Sequence, residues 1–239
     1  MIPMQMGRFQ ILRNVYHRRI LRAPSPEHVR MLEDSLERLA QMLGSEVPWF
    51  LTGGLSIAVA VGVFYRVHED IDVAIDPDHL GQLVDLAAAS SYRLFHRYPT
   101  LRVGRDSKID WYRPVAVAEA VAGSFHLRLV RVDDRGDIHP QRTLLDYVDL
   151  HLDRHQPGGT LTGGGRFIPY VRGGVTYRTR SGAFIRCTDP GVQLLLKRRK
   201  LPGVDRHDLR MLRGLLRAEG EGIGGDKKTR AQGESGFGA

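Results

Sequence analysis

The chain of 239 residues has one cysteine, Cys187. No intramolecular disulfide can form, and a cysteine-built zinc centre is excluded. Such usage fits a reducing compartment, and the expected location is the cytoplasm. No apolar run approaches the roughly 20 residues of a membrane-spanning helix. The longest candidate, Gly53 to Tyr65, is bounded by Arg66 and reads as a core helix, so no membrane partner is expected. The N-terminus lacks the apolar segment of a secretory signal. It also lacks acid: no carboxylate precedes Glu27, while Arg8, Arg13, Arg18, Arg19 and Arg22 are all present. Arginine-rich composition superficially suits an organelle transit segment, but a basic arm or poorly ordered extension is the favoured reading, since composition is the only support for targeting. The glycine-rich run from Gly158 to Gly165 lacks the lysine and the following helix pattern of a phosphate-binding loop. There is no internal repeat.

What is present is an ordinary globular composition, 42% apolar, in a chain long enough to bury a real core. The net charge is +8 and sits at the two ends. Besides the N-terminal arginines, residues 187–217 carry Lys197, Arg198, Arg199, Lys200, Arg206, Arg210, Arg213 and Arg217 against Asp189, Asp205 and Asp208. Such patches attract polyanions, among them nucleoside triphosphates and nucleic acids. A solvated basic surface is the plainer alternative.

Periodicity gives the element order. Pro24-Ser25-Pro26 precedes a helix from Glu27 to about Leu43, with Val29, Leu32, Leu36, Leu39 and Leu43 on one face and Gly44 as its stop. A strand around Trp49–Leu51 feeds a Gly-Gly turn, a helix from Ser56 to about Tyr65, and a strand from Asp70 to Ile75. Asp76-Pro77-Asp78 forms a turn and cap before a helix over about 79–89. Residues 92–155 read as strands and turns, with 106–122 an insertion of mixed structure. Phe125 to Val132 alternates into the turn Asp133–Gly136, and Leu145 to Leu152 alternates with Tyr147, Asp149 and His151 on one face. Pro190 opens a helix to about Lys200, Pro202-Gly203 breaks it, and a second helix covers about 205–216 with Leu209, Leu212 and Leu216 inward. Beyond Glu219 the composition predicts disorder. The expected organisation is a basic extension over 1–26, a catalytic domain over 27–186, a helical segment over 187–217 and a tail over 218–239.

The most informative stretch is residues 51–75, LTGGLSIAVAVGVFYRVHEDIDVAI. Asp70 and Asp72 stand at i and i+2 in a run otherwise fit for a buried strand, so they share a face, while Ile71, Val73 and Ile75 face the core. Two adjacent carboxylates repel each other. A divalent cation that holds a phosphate gives them a purpose.

Gly53-Gly54, a helix, and then Arg66-Val67-His68-Glu69-Asp70-Ile71-Asp72 together resemble the polymerase-beta-like nucleotidyltransferase superfamily. The nearest likeness is to the small lincosamide and aminoglycoside nucleotidyltransferases, with toxin-type nucleotidyltransferases that modify tRNA also similar. The resemblance implies an α/β (α+β) fold, a mixed sheet flanked by helices with a C-terminal helical segment. It implies Mg2+, one or two ions, on Asp70 and Asp72, and a nucleoside triphosphate such as ATP as donor. Gly53 and Gly54 would let backbone N–H groups approach phosphate, with Ser56 at the start of the following helix. The likeness points to Asp149 as the third carboxylate, either metal ligand or general base; Asp146, one position off, lies on the wrong face. It gives Arg66 a contact to triphosphate; His68 reads as an orienting or packing group rather than a metal ligand, because magnesium disfavours nitrogen. Glu69 faces away from the two aspartates, and Asp76 and Asp78 are turn residues. Lys197 and Arg206-His207-Asp208 match loosely a lysine and an Arg-x-Lys-Asp-like pattern, which makes Lys197 a candidate for phosphate or nucleotide contact; His207 and Met211 depart from the pattern. The acceptor expected first is a hydroxyl of a small antibiotic-like molecule. The basic ends favour tRNA or other RNA as the alternative, and a non-catalytic nucleotide-binding descendant is the third reading.

Overall fold

A computed structural model describes residues 21–97, 101–103, 107–109, 112–123, 126–138, 143–163, 165–170, 175–197 and 206–217. The basic arm before residue 21, the Pro202-Gly203 break and the tail over 218–239 lie outside them.

Helix α1, Pro26–Leu43, starts where Ser25 accepts a hydrogen bond from His28 N and Pro26 fits the first turn. Gly44, at φ 61°, ends it. Its Leu32, Leu36, Leu39 and Leu43 are fully buried, each contributing roughly 1.5–3 kcal/mol. Strand β1 (Trp49–Thr52) runs directly into α2 (Gly53–Val61), then β2 (Ile71–Ile75), a 3-10 turn (Pro77–His79) and α3 (Leu80–Ala88). Next come β3 (Tyr92–Arg97), β4 (Leu101–Val103), β5 (Ser107–Ile109), β6 (Tyr112–Pro114), α4 (Val117–Ala122) and β7 (Leu127–Arg131). After β8 (Tyr147–Leu152) follow β9 (Arg154–Gln156), β10 (Gly159–Leu161), β11 (Phe167–Pro169), β12 (Val175–Arg178), β13 (Phe184–Cys187) and α5 (Pro190–Lys197). A last helix, α6, covers 206–217.

Eight strands form one mixed sheet in the order β12-β13-β1-β2-β8-β7-β3-β6. The β2–β8 and β1–β13 pairs are parallel and the rest antiparallel. The expected α/β fold with a helix-flanked mixed sheet is what the chain adopts. One face carries Ile71, Val73, Ile75, Val148, Leu150, Leu127 and Leu129 into the core with the α1 and α3 leucines. The other face carries the polar residues of the same strands.

Several boundaries differ from the sequence expectation. Helix α2 starts at Gly53 rather than Ser56, because Gly53 adopts φ +67° and turns the chain at once. It ends at the left-handed Gly62, three residues short of Tyr65. Strand β2 begins at Ile71, so Asp70 precedes the ladder instead of sharing the strand with Asp72. Leu144–Asp146 form a 3-10 turn closed by a Thr143–Asp146 capping box rather than the start of a strand. That box explains the burial of Asp146. Gly158 and Gly165, at φ 83° and 75°, serve two tight turns of a three-stranded sheet, β11-β10-β9, and Gly159 leaves the room that the Phe167 ring occupies.

Candidate active site

Register decides the centre of the site. Strands β2 and β8 are parallel neighbours, and Asp72 pairs directly with Asp149. The alternation of β8 buries Val148 and Leu150 and turns Tyr147, Asp149 and His151 to the polar face. Asp70 enters from the loop before β2. It is exposed at its surface, yet the surrounding protein removes part of its hydration. That loss, followed by the charges of Asp72 and Asp149, pushes its carboxyl up to about 6. The charges of Asp72 and Asp149 therefore bear on Asp70.

Neighbouring basic side chains engage two of them, Asp72 and Asp149. His151 Nε2 lies 2.9 Å from Asp72 Oδ1. Burial lowers the His151 pKa, but Asp72 outweighs it and the net shift is upward. Arg128, the cross-strand partner of Asp149, grips it with two nitrogens: Nε on Oδ1, and Nη2 on Oδ2 at 2.8 Å. Its Nη1 donates to the Tyr112 hydroxyl at 2.7 Å. Among the described residues no group of three or more His, Cys, Asp or Glu side chains is placed to hold a metal ion by itself. Carboxylates fastened to Arg128 and His151 do not converge on their own, and a magnesium site of this type is completed by substrate phosphates and water rather than by protein alone. The donor set, hard oxygen throughout, fits Mg2+.

The two glycines have separate structural duties. A Cβ at Gly53 would lie 2.0 Å from Asp72 Oδ2, so this glycine makes room for the carboxylate. A Cβ at Gly54 would lie 1.8 Å from Arg66 Nη2. Among the described residues no side chain caps the first turn of α2. Thr52 Oγ1 instead accepts from Gln193 Nε2 at 2.5 Å. Beside Asp72 the start of α2 thus presents backbone N–H groups of the kind that bind phosphate. Ser56, expected near that phosphate, is buried and donates to Gly53 O at 3.2 Å.

Arg66 and Lys197 were expected at the nucleotide. The structure places both on one buried carboxylate, Asp208 of α6. Arg66 Nε donates to Asp208 Oδ1 at 2.9 Å and Nη2 to Oδ2 at 3.2 Å. Lys197 Nζ is 2.9 Å from Oδ2, and the Tyr65 hydroxyl donates to Oδ1 at 2.8 Å. Burial would raise the Asp208 pKa, but Arg66 and Lys197 hold it below the usual carboxylate range. His68 is fully buried, among the described residues neither of its ring nitrogens is hydrogen-bonded, and burial lowers its pKa to about 3, in keeping with a packing group. Asp76 Oδ1 accepts from Asp78 N, and Asp78 pairs with Arg154, as turn residues do.

Sequence reasoning missed Arg128, Tyr112 and the part of His151. Their only sequence signal was parity, since His151 shares the Asp149 face; the placement of Arg128 needs the β7–β8 register.

Comparison with known proteins adds one finding about family. Residues 35–118 match the aminoglycoside-2''-adenylyltransferase family model. That span includes Gly53, Gly54, Arg66, His68, Asp70 and Asp72 and stops before Arg128 and Asp149. Among solved structures, the chain is similar to the lincosamide antibiotic adenylyltransferase LnuA with lincomycin bound: 16% identity over 81% of this chain and 99% of that one, TM-score 0.44. It is similar to ANT(2")-Ia in complex with adenylyl-2"-tobramycin, at 12% identity over 82% and 91%, TM-score 0.43. An antigenic nucleotidyltransferase-like protein from Paracoccidioides brasiliensis gives 14% identity over 79% and 77%, TM-score 0.41. No curated protein matches the chain. Among the described residues, no helix is long and apolar enough to cross a membrane.

Proposed function

We propose that the chain is a Mg2+-dependent nucleotidyltransferase that moves a nucleoside monophosphate from a nucleoside triphosphate to a hydroxyl of a small, antibiotic-like acceptor. The observation that carries this reading is the pairing of Asp72 with Asp149 in the β2–β8 ladder, with Asp70 beside them and the α2 N-terminus adjoining Asp72. The family match over 35–118 supports it independently, and its adenylyl specificity makes ATP the first donor to try.

Asp70, Asp72 and Asp149 would hold the cation, which when bound neutralises phosphate charge. Gly53 and Gly54 bring the backbone N–H groups of α2 to the triphosphate. Asp208 keeps Arg66 stretched over Gly54 and fastens Lys197 beside it, so both cations contribute field to the donor end of the site. His151 fixes the rotamer of Asp72. In the reaction the acceptor oxygen bonds to the α-phosphorus, the bond to pyrophosphate breaks, and the hydroxyl proton is released. Both Asp149 oxygens are engaged by Arg128, so its place opposite Asp72 supports holding a cation rather than removing that proton.

A specific observation favours RNA as the second acceptor class: Arg206, Arg210, Arg213 and Arg217 are all exposed at helical spacing on α6. One experiment separates the readings. The full chain is incubated with Mg2+ and each radiolabelled nucleoside triphosphate, divided between total tRNA and a panel of hydroxylated antibiotics. Label on an antibiotic supports the proposal, and label on tRNA transfers it to RNA. Absence of transfer to either, with nucleotide still bound, leaves a binding protein and refutes catalysis on these acceptors.

A further inference from the structure

We propose that Arg128 is a shared fork, holding Asp149 in register and passing to a donor phosphate oxygen as Asp149 engages a divalent cation. The inference rests on the nucleotidyltransferase reading and adds a residue to its machinery.

The geometry is specific to arginine. Arg128 and Asp149 stand directly opposite in the antiparallel β7–β8 ladder, and two guanidinium nitrogens meet two carboxylate oxygens. A carboxylate and a phosphate offer nearly the same bidentate edge, so a guanidinium that fits one fits the other. A lysine ammonium at this place would supply charge without the fork. The Arg128 side chain is 12% exposed and that of Asp149 21%, so water competes weakly with the pair.

Two tyrosines restrain the guanidinium. The Tyr112 hydroxyl accepts from Nη1, and the Arg128 guanidinium carbon lies 5.9 Å from the centre of the Tyr147 ring. Tyr112 and Tyr147 pack on each other with centroids 5.6 Å apart, over buried Phe95 and Val130. These contacts limit Arg128 to a short pivot about Tyr112 rather than a swing into solvent. Asp149 has two oxygens, and a cation shared with Asp72 must compete with Arg128 for them. Arg128 therefore opposes metal binding to the protein alone and favours metal that arrives with phosphate. Electrostatically, it substitutes for the cation on Asp149 and then offers positive charge to the phosphate.

This exchange predicts opposite signs for two measurements, which simple structural damage does not. Mn2+ binding to the full chain is measured without nucleotide by electron paramagnetic resonance, alongside thermal melting and nucleotide kinetics. Arg128→Gln is expected to bind Mn2+ about tenfold more tightly, since a charge-assisted competitor is gone. The same variant is expected to lose about 100-fold in kcat/KM for the nucleotide. Arg128→Lys keeps the charge and loses the fork: Mn2+ affinity stays near wild type while nucleotide kcat/KM falls at least tenfold. Tyr112→Phe, which keeps Arg128 but removes its pivot, moves both readings in the Arg128→Gln direction by less, and serves if the glutamine variant does not fold. Unchanged or weaker Mn2+ binding in folded Arg128→Gln overturns the proposal, as do wild-type nucleotide kinetics in Arg128→Lys. Failure of the underlying function is read separately, on the wild type: no Mn2+ binding and no transfer would remove the metal centre itself and this inference with it.

Discussion

Gly53→Ala tests the link between the turn and the carboxylates. Gly53 sits at φ +67°, where an L residue loses roughly 1–2 kcal/mol. The new Cβ would lie 2.0 Å from Asp72 Oδ2 and 2.7 Å from its Cγ. No side chain tolerates that overlap, so Asp72 must rotate and give up its contact with His151, a further loss of roughly 1 kcal/mol. The expected destabilisation is about 2–3 kcal/mol, which for a domain of this size lowers Tm by about 5–10 °C. Transfer should fall at least about 100-fold, because the displaced group is a proposed cation ligand. Gly62→Ala is the control. Gly62 has φ +82° but nothing within 4 Å of the added Cβ, so it should lose about 1–2 kcal/mol and keep its activity. Calorimetric melting and radiolabel transfer on the two variants separate backbone strain from displacement of Asp72. A Gly53→Ala protein with the activity and melting of Gly62→Ala would refute the reasoning.

Asp70→Asn should abolish transfer while leaving folding stability equal or slightly higher, because it removes one of three repelling charges; a clear loss of stability on denaturant titration would contradict the clustering. For the same reason Mg2+ added together with nucleotide should raise the melting temperature of the wild type and not of Asp70→Asn. Asp208→Asn breaks a buried pair and should lower stability by about 3–5 kcal/mol. The sign of its pH dependence follows from a folded pKa held below the ordinary value: Asp208 stabilises fully above about pH 4 and loses that contribution as pH falls through the folded value. Wild-type stability should therefore drop more steeply in acid than that of Asp208→Asn, read from urea midpoints between neutral and acid pH. Gly54→Ala drives a Cβ to 1.8 Å from Arg66 Nη2 and should resemble Asp208→Asn in melting.

The sequence by itself determined whatever depends on local period and local chain geometry. The leucines of α1 face the core because 3.6-residue spacing puts them on one side. Asp149 faces away from Val148 and Leu150 because a strand alternates. Gly53-Gly54 marked a turn because glycine alone reaches φ +67° without strain. Tertiary structure decided what depends on register and on contacts between distant segments. Arg128 meets Asp149 only because β7 pairs with β8 in one particular register. Arg66 and Asp208, 142 positions apart, meet only because α6 folds back beside α2, and so Arg66 and Lys197 are ion-paired before any phosphate is considered. A charge written in a sequence has no partner; burial forces it to find one, and which one it finds is a property of the packed fold.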